Sequence, residues 1–315
     1  MDERSRIAML TGIFAGAPGA PGRAVQIGIG DDAAVLDGRA LAGGTIVWTI
    51  DEQVEGTHFR RDLLTWHDVG WRSFMAAASD IAAMGAQPWC ALCALALPLD
   101  VDDRALEQMA IGQRDAASTL EAPIVGGNLV RGGQLSVATT LLGTCKRAVT
   151  RSGARPGDGL WIAGSVGLAA AGLRALETGH RRDERLDVAV ESWRSPRARI
   201  ADGRSMEAVA HAAIDVSDGL ARDAGHIAEA SGVQIALDGP ALRGDAALLD
   251  AADALGLSAL DLALYGGEDY ALVVASPVAI DGFRRIGEVR EGAGLVLREQ
   301  GNEWSIDPSG FDHFG

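Results

Sequence analysis

Between Trp89 and Leu99 the chain is apolar for eleven residues. Such a run is too short to span a bilayer, which takes about 20 residues, and it fits a strand buried in a sheet. Helical patterns stand on both sides. His67 to Met84 carries apolar residues at Val69, Phe74, Ile81 and Met84, with Gly85 where a C-cap belongs. Asp102 to Leu120 reads as an amphipathic helix. Further strands are expected at 25–29, 45–50, 123–125, 135–143, 160–163 and 271–275. Further helices are expected at 2–15, 168–177 and from 219 to about 230. Residues 178–205 are charged, Arg-rich and poorly periodic, which predicts an exposed segment. Strands and helices mix without strict βαβ alternation, so the expected class is α+β, with layers of mixed sheet and helix. The Arg- and Gly-bearing stretch 146–159 reads as a connection, giving expected domains at 1–147 and 148–315.

Charge narrows the function. The chain of 315 residues has 28 Lys and Arg against 43 Asp and Glu, a formal net charge of −15. That surface repels nucleic acid and anionic membrane, so neither is an expected partner. An acidic protein that handles phosphates needs local positive charge, and bound metal cations supply it. The first residues have mixed charge and no apolar h-region behind them, so a cytoplasmic location is expected. Cys90 and Cys93 lie three apart in the apolar run, on opposite faces of a strand, and read as buried reduced thiols rather than zinc ligands. The single lysine, Lys146, stands in no G-x-x-x-x-G-K-[ST] sequence. A P-loop is therefore excluded, as are the protein-kinase motifs and G-x-S-x-G. A nucleotide enzyme made from this chain must work with metals, arginines and backbone amides.

Acidic residues recur where strands stop. Asp31 and Asp32 follow Gly28-Ile29-Gly30, and Asp51 follows the run TIVWTI. Asp215 and Asp218 bracket Val216-Ser217, and Glu268 and Asp269 follow Gly266-Gly267. Each alone is readily a helix cap or a turn. Asp80 differs, because AAASDIAAMG sets it in a partly buried helix where an unpaired carboxylate is costly. Carboxylates with glycine-exposed backbone suit magnesium, which takes oxygen ligands and shares them with phosphates.

Taken together, these loops resemble those of the thiamine-monophosphate kinase family, within the aminoimidazole-ribonucleotide-synthase-like superfamily. The matching segments are GIGDDAAVL (28–36), IDEQVEGTHF (50–59), SDIAAMGAQP (79–88), GGNLVRG (126–132), TRSGARPGDGLWIAG (150–164), AAIDVSDGLA (212–221), YGGEDYAL (265–272) and GFDHF (310–314). They run in the family's order over nearly the whole chain. The resemblance implies an N-terminal domain that helps build a homodimer, a C-terminal α/β domain, and an active site in the cleft between them. It implies magnesium-dependent, direct in-line transfer of the ATP γ-phosphoryl to thiamine monophosphate. Magnesium ligands are implied at Asp31, Asp51, Asp80, Asn128, Asp215 and Asp218, with Asp31, Asp51 and Asp218 central to catalysis. Nucleotide contacts are implied at Thr49, Gly126, Gly127, Arg151 and Ser217, and thiamine monophosphate contacts at His58, Glu268 and Phe311.

The chain departs from the family pattern at two places. Asn128 stands where the family has Asp, followed by Leu129 and Val130 where hydroxylated residues are usual. Ala77 stands where an Asn is usual. Asn can coordinate through its carbonyl but brings no charge, so a metal there should bind more weakly. Two other readings stay open at this point: an ATP-using member of the superfamily with a different acceptor, and a nucleotide-binding homologue without catalysis.

Overall fold

The computed structural model describes residues 3–14, 25–27, 35–36, 44–180 and 183–311. The chain divides into two compact units. One comprises Met1–Ile81 with Ala86–Lys146, and the other Ala82–Gly85 with Arg147–Gly315.

The first unit runs α1 (Glu3–Phe14), β1 (Val25–Ile27), β2 (Val35–Leu36), β3 (Thr45–Val54), α2 (Trp66–Ala83), β4 (Gln87–Leu97), α3 (Asp103–Thr119), β5 (Ile124–Arg131) and β6 (Ser136–Cys145). Strands β1 and β2 form a small antiparallel pair. The main sheet has the order β3-β6-β4-β5, antiparallel except for the β4–β5 pair. The apolar run is thus an interior strand, as its composition requires. Helix α3 starts where Asp102 accepts the Ala105 N–H at 2.8 Å, a side-chain N-cap. The expected strand at 123–125 in fact continues to Arg131, so Gly126, Gly127 and Asn128 are strand residues rather than a loop. Pairing with β4 overrides the poor strand propensity of two glycines.

Two rows of residues show how this sheet sorts its faces. Asp51, Thr139, Cys93 and Gly127 are register partners in turn across the four strands, and Thr139 and Cys93 are buried. The next row, Glu52, Ala138, Ala94 and Asn128, points the other way. That second face carries exposed Ile46, Trp48, Ile50, Leu92 and Val130.

The second unit runs β7 (Gly159–Ala163), α4 (Leu168–Glu177), a 3-10 turn (Glu184–Leu186), α5 (Asp187–Arg194), α6 (Ile200–Met206), β8 (Ala212–Asp215), α7 (Leu220–Ser231), β9 (Gln234–Asp238), α8 (Gly239–Leu242), α9 (Ala246–Leu255), α10 (Ala259–Tyr265), β10 (Leu272–Ser276), β11 (Arg284–Arg290), β12 (Gly294–Glu299) and β13 (Asn302–Ile306). Its seven strands take the order β13-β12-β9-β11-β7-β10-β8, with only β9 and β12 parallel. Apolar residues of α4, α7, α9 and α10 share one core with β7 to β12. The segment 178–205 is not the exposed stretch its charge suggests. It holds α5 and part of α6, and Trp193 within it is 1% exposed. Charged residues on the outer faces of short helices hid the few positions that point inward.

The architecture is α+β, with mixed sheets and helices in two domains. No helix among the described residues is long and apolar enough to cross a membrane.

Candidate functional site

Each unit gathers part of the predicted set. In the first, β3 presents Thr49 and Asp51 on the face opposite Trp48 and Ile50. The Thr49 hydroxyl donates to Asp80 Oδ2 at 2.5 Å, joining β3 to α2. The half-buried carboxylate of Asp80 thus has a side-chain donor, a partner of the kind its setting in the helix called for. Asp51 accepts from Gln53 Nε2 at 3.2 Å, and the buried Oε1 of Gln53 has no hydrogen-bond partner among the described residues. Ala77, in the middle of α2, is fully buried.

Gly127 lies in the row of Asp51 but three strands away, roughly 14 Å at normal strand spacing. A Cβ there would sit 1.8 Å from the Cys93 carbonyl oxygen, so the strand pairing itself demands glycine. Gly126 is less constrained, since its Cβ would meet only the Leu92 side chain, at 2.8 Å. Asn128 is exposed on the opposite face of the sheet, and this unit does not gather it with Thr49, Asp51 and Asp80. Asp31 lies outside the described residues.

His58 sits in the turn after β3. Its Nδ1 accepts the Val54 N–H at 3.0 Å, and its own N–H donates to the Val54 carbonyl at 2.9 Å. An Nδ1 that accepts leaves the ring proton on Nε2.

In the second unit, β8 ends at buried Asp215 and the chain turns through Val216, Ser217 and Asp218 into α7. Three segments are stitched to this turn by the backbone. Glu268 N–H donates to the Ser217 carbonyl and Tyr270 N–H to the Val216 carbonyl, both at 2.8 Å, and Phe311 N–H donates to the Asp218 carbonyl at 3.0 Å. Arg222 adds a bond to the Phe311 carbonyl and lies 3.6 Å from the Asp218 carboxylate. The structure therefore brings together Asp215, Ser217, Asp218, Glu268 and Phe311.

Asp223 belongs to this cluster, although no sequence motif singled it out. Its Oδ2 accepts the N–H groups of Ser217 and Asp218, each at 3.1 Å, and so fixes the turn from inside α7. Burial, and then the charges of Asp215 and Asp218, push its carboxyl up to about 7, against the pull of the two amides. The available signal was a third Asp, five residues beyond Asp218, at the start of an amphipathic helix.

Arg151 is exposed, and its carbonyl accepts from Ser231 Oγ at 3.3 Å. With burial as the main cause, the charges of Arg151 and Arg222 hold His226 below its usual range, so both arginines stand near that ring. A cleft of about 420 Å³ opens here, lined by Arg222, Gly225, His226, Glu229 and residues 308–310. Asp269, by contrast, turns inward. Its carboxylate accepts Gly167 N–H at 2.7 Å and Ala169 N–H at 3.0 Å, occupying the start of α4. The residue keeps some surface, but its carboxyl is desolvated. That burial, with Glu268 and Asp245 nearby, pushes it up to about 7 despite the two amides.

The residues fit magnesium by donor chemistry. Among the described residues no three His, Cys, Asp or Glu side chains form a ready-made metal set. Each unit instead holds a group of hard oxygen donors. One is Asp215, Asp218 and Asp223, whose mutual repulsion is visible at Asp223. The other is Thr49, Asp51 and Asp80, beside the buried Gln53 oxygen. Such sets are relieved by a small divalent cation that takes oxygen ligands and shares them with phosphate.

The family model for AIR synthase related protein, N-terminal domain, matches residues 30–145, and that for the C-terminal domain matches residues 155–298. The thiamine-monophosphate kinase of Aquifex aeolicus is 32% identical over 292 residues, covering 91% of this chain and 92% of the relative. That of Mycobacterium tuberculosis is 39% identical over 299 residues, covering 92% and 86%. A solved structure described as AaThiL complexed with AMPPCP and TMP superposes with a TM-score of 0.81 at 32% identity, covering 87% of this chain and 88% of that one.

Proposed function

The chain belongs to the thiamine-monophosphate kinase family, an enzyme family of the AIR-synthase-related fold, and from that premise we propose that it phosphorylates thiamine monophosphate with ATP. The products are thiamine diphosphate and ADP, and the transfer is direct and in line. The observation that carries this reading is the stitched cluster of the second unit. There, backbone bonds hold a turn with two acidic side chains against Glu268 and Phe311.

Magnesium, when bound, neutralises the phosphate oxygens and the charge that develops on transfer. In the second unit Asp215 and Asp218 would hold it, in the first Asp51 and Asp80 would, and Asp31 would take the same role. Asp223 keeps the 215–218 turn in shape by taking its two amides. The Thr49 hydroxyl fixes the Asp80 carboxylate. Arg151 brings a planar fork suited to phosphate oxygens, and Ser217 brings a hydroxyl. Gly126 and Gly127 lie on an edge strand, where alternate N–H groups point away from the sheet toward a ligand. On the acceptor side, His58 donates from Nε2, Glu268 accepts, and Phe311 covers the rings. AaThiL, bound to an ATP analogue and to TMP, supports this pairing of substrates.

The working form is a homodimer. Ile46, Trp48 and Ile50 are 51%, 71% and 69% exposed on one face of β3, and Leu92 and Val130 continue the patch across the sheet. An apolar face of that extent marks an interface, and a two-fold axis lets the patch cover itself. Domains divided near 147/148, action on soluble phosphate esters and a cytoplasmic setting complete the proposal.

Purified protein incubated with thiamine monophosphate, ATP and titrated magnesium should form thiamine diphosphate, separated by chromatography. No product at millimolar magnesium from folded protein refutes the reading. ATP turnover with another acceptor alone would assign the chain to a different reaction on the same fold.

A further inference from the structure

Glu268 emerges from one of the most constrained segments of the chain. Its N–H donates to Ser217, and that of Tyr270 donates to Val216. Asp269 between them is held by the first amides of α4. Glu268 and Tyr270 both sit at positive φ, 62° and 49°, which non-glycine residues adopt only where their surroundings impose it. The main chain thus sets where the Glu268 side chain leaves. It does not set the rotation of the carboxylate.

A tryptophan from a distant helix does that. Trp193 Nε1–H donates to Glu268 Oε2 at 2.7 Å. Trp193 is 1% exposed on α5. Helix α5 itself cannot shift easily, because it meets α4 backbone to backbone: a Cβ on Gly172 would stand 2.0 Å from the Ala189 oxygen. A buried indole needs one acceptor, and a main-chain carbonyl would satisfy it. Spending the bond on a half-buried loop carboxylate has a different result. It fixes one oxygen while using one of the roughly four acceptor positions a carboxylate offers.

We propose that Trp193 is a positioning residue for the acceptor substrate: its indole N–H sets the Glu268 carboxylate to receive the aminopyrimidine or the cationic ring of thiamine monophosphate. Trp193 does not touch the ligand. The proposal rests on the kinase reading above.

The test compares wild type, Trp193→Phe, Glu268→Gln and the double variant, reading kcat and the KM for each substrate. Trp193→Phe should raise the KM for thiamine monophosphate about tenfold, the size expected for losing one hydrogen bond to a charged group. The KM for ATP should stay within about twofold of wild type. The double variant should be no worse than Glu268→Gln alone, because Trp193 acts only through Glu268. An unchanged KM for thiamine monophosphate in Trp193→Phe, or additive effects in the double variant, overturns the proposal. Should Trp193→Phe not fold, Glu268→Gln still decides. The ¹⁵N-bound indole proton of Trp193 must shift upfield in its NMR spectrum, and an unmoved resonance refutes the bond. If wild type itself does not phosphorylate thiamine monophosphate, the kinase reading fails and the substrate role of Trp193 fails with it. The indole resonance separates that outcome from a wrong hydrogen bond.

Discussion

Gly126 and Gly127 are neighbours with the same expected role, yet the structure predicts different responses to alanine. At Gly127 the added methyl would lie 1.8 Å from the Cys93 carbonyl oxygen and 2.8 Å from its carbon. Both are main-chain atoms of the adjacent strand, so no side-chain rotation relieves the clash. Strand β5 must move away from β4, at an overpacking cost of about 1–3 kcal/mol. Two or three ladder hydrogen bonds go with it, at about 1 kcal/mol each. The sum is about 3–6 kcal/mol, a large part of the stability of an ordinary domain. At Gly126 the methyl would meet only Leu92 Cδ2, on a side chain that is 37% exposed and can swing aside. That cost should stay below about 1 kcal/mol. Urea unfolding of the two variants, followed by circular dichroism, measures the difference. If Gly127→Ala is as stable as Gly126→Ala and loses only ATP affinity, the glycine exists for the ligand and the packing argument is wrong.

Other consequences can be checked alongside. Trp48→Glu should convert the dimer to a monomer in sedimentation velocity at micromolar concentration; a monomeric wild type, or a dimeric variant, would refute the interface. Asn128→Asp should lower the magnesium concentration needed for half-maximal activity if that residue reaches a metal. An unchanged requirement is the result expected if it only faces outward with Trp48. The Asp269 carboxyl, raised to about 7 in the folded state from about 3.9 unfolded, stabilises the fold fully below pH ~4 and loses that contribution as pH climbs through about 7. Asp269→Asn should therefore flatten the fall in urea midpoint between pH 5 and pH 8; an identical slope in both proteins counts against the desolvated carboxyl. Cys90 and Cys93, pushed by burial up to about 11 and about 12, should resist iodoacetamide in the native protein at pH 8 and react in urea, as mass spectrometry would show.

The sequence showed most clearly what each element needs for itself. The apolar run from Trp89 had to be interior, and it became a central strand. Asp102 to Leu120 read as an amphipathic helix, and α3 covers Asp103–Thr119, with Asp102 as its side-chain cap. Asp215 and Asp218 around a Ser had to lie where a strand meets a helix, and they do. Hydrophobic period and capping chemistry are local, so they can be read locally. What could not be read is which distant element answers a given side chain. Thr49 meets Asp80 across 31 residues and Trp193 meets Glu268 across 75. Nothing in the spacing of either partner encodes the other.

Glu268 and Asp269 show the limit most sharply. As sequence they are one acidic pair after two glycines, and only the resemblance singles out Glu268. The chain takes positive φ at Glu268 and again at Tyr270, and this turns the two carboxylates apart. Asp269 goes inward to the amides that open α4, at the Gly-Ser-Val-Gly turn where a bound anion would otherwise be welcome. The protein has filled that helix end with its own carboxylate. The same fold of the backbone sends Glu268 to the indole of Trp193. One residue of the pair is therefore structural, and the other, held by Trp193, is the one proposed to meet the substrate. The division depends on two backbone angles that composition and spacing do not reveal.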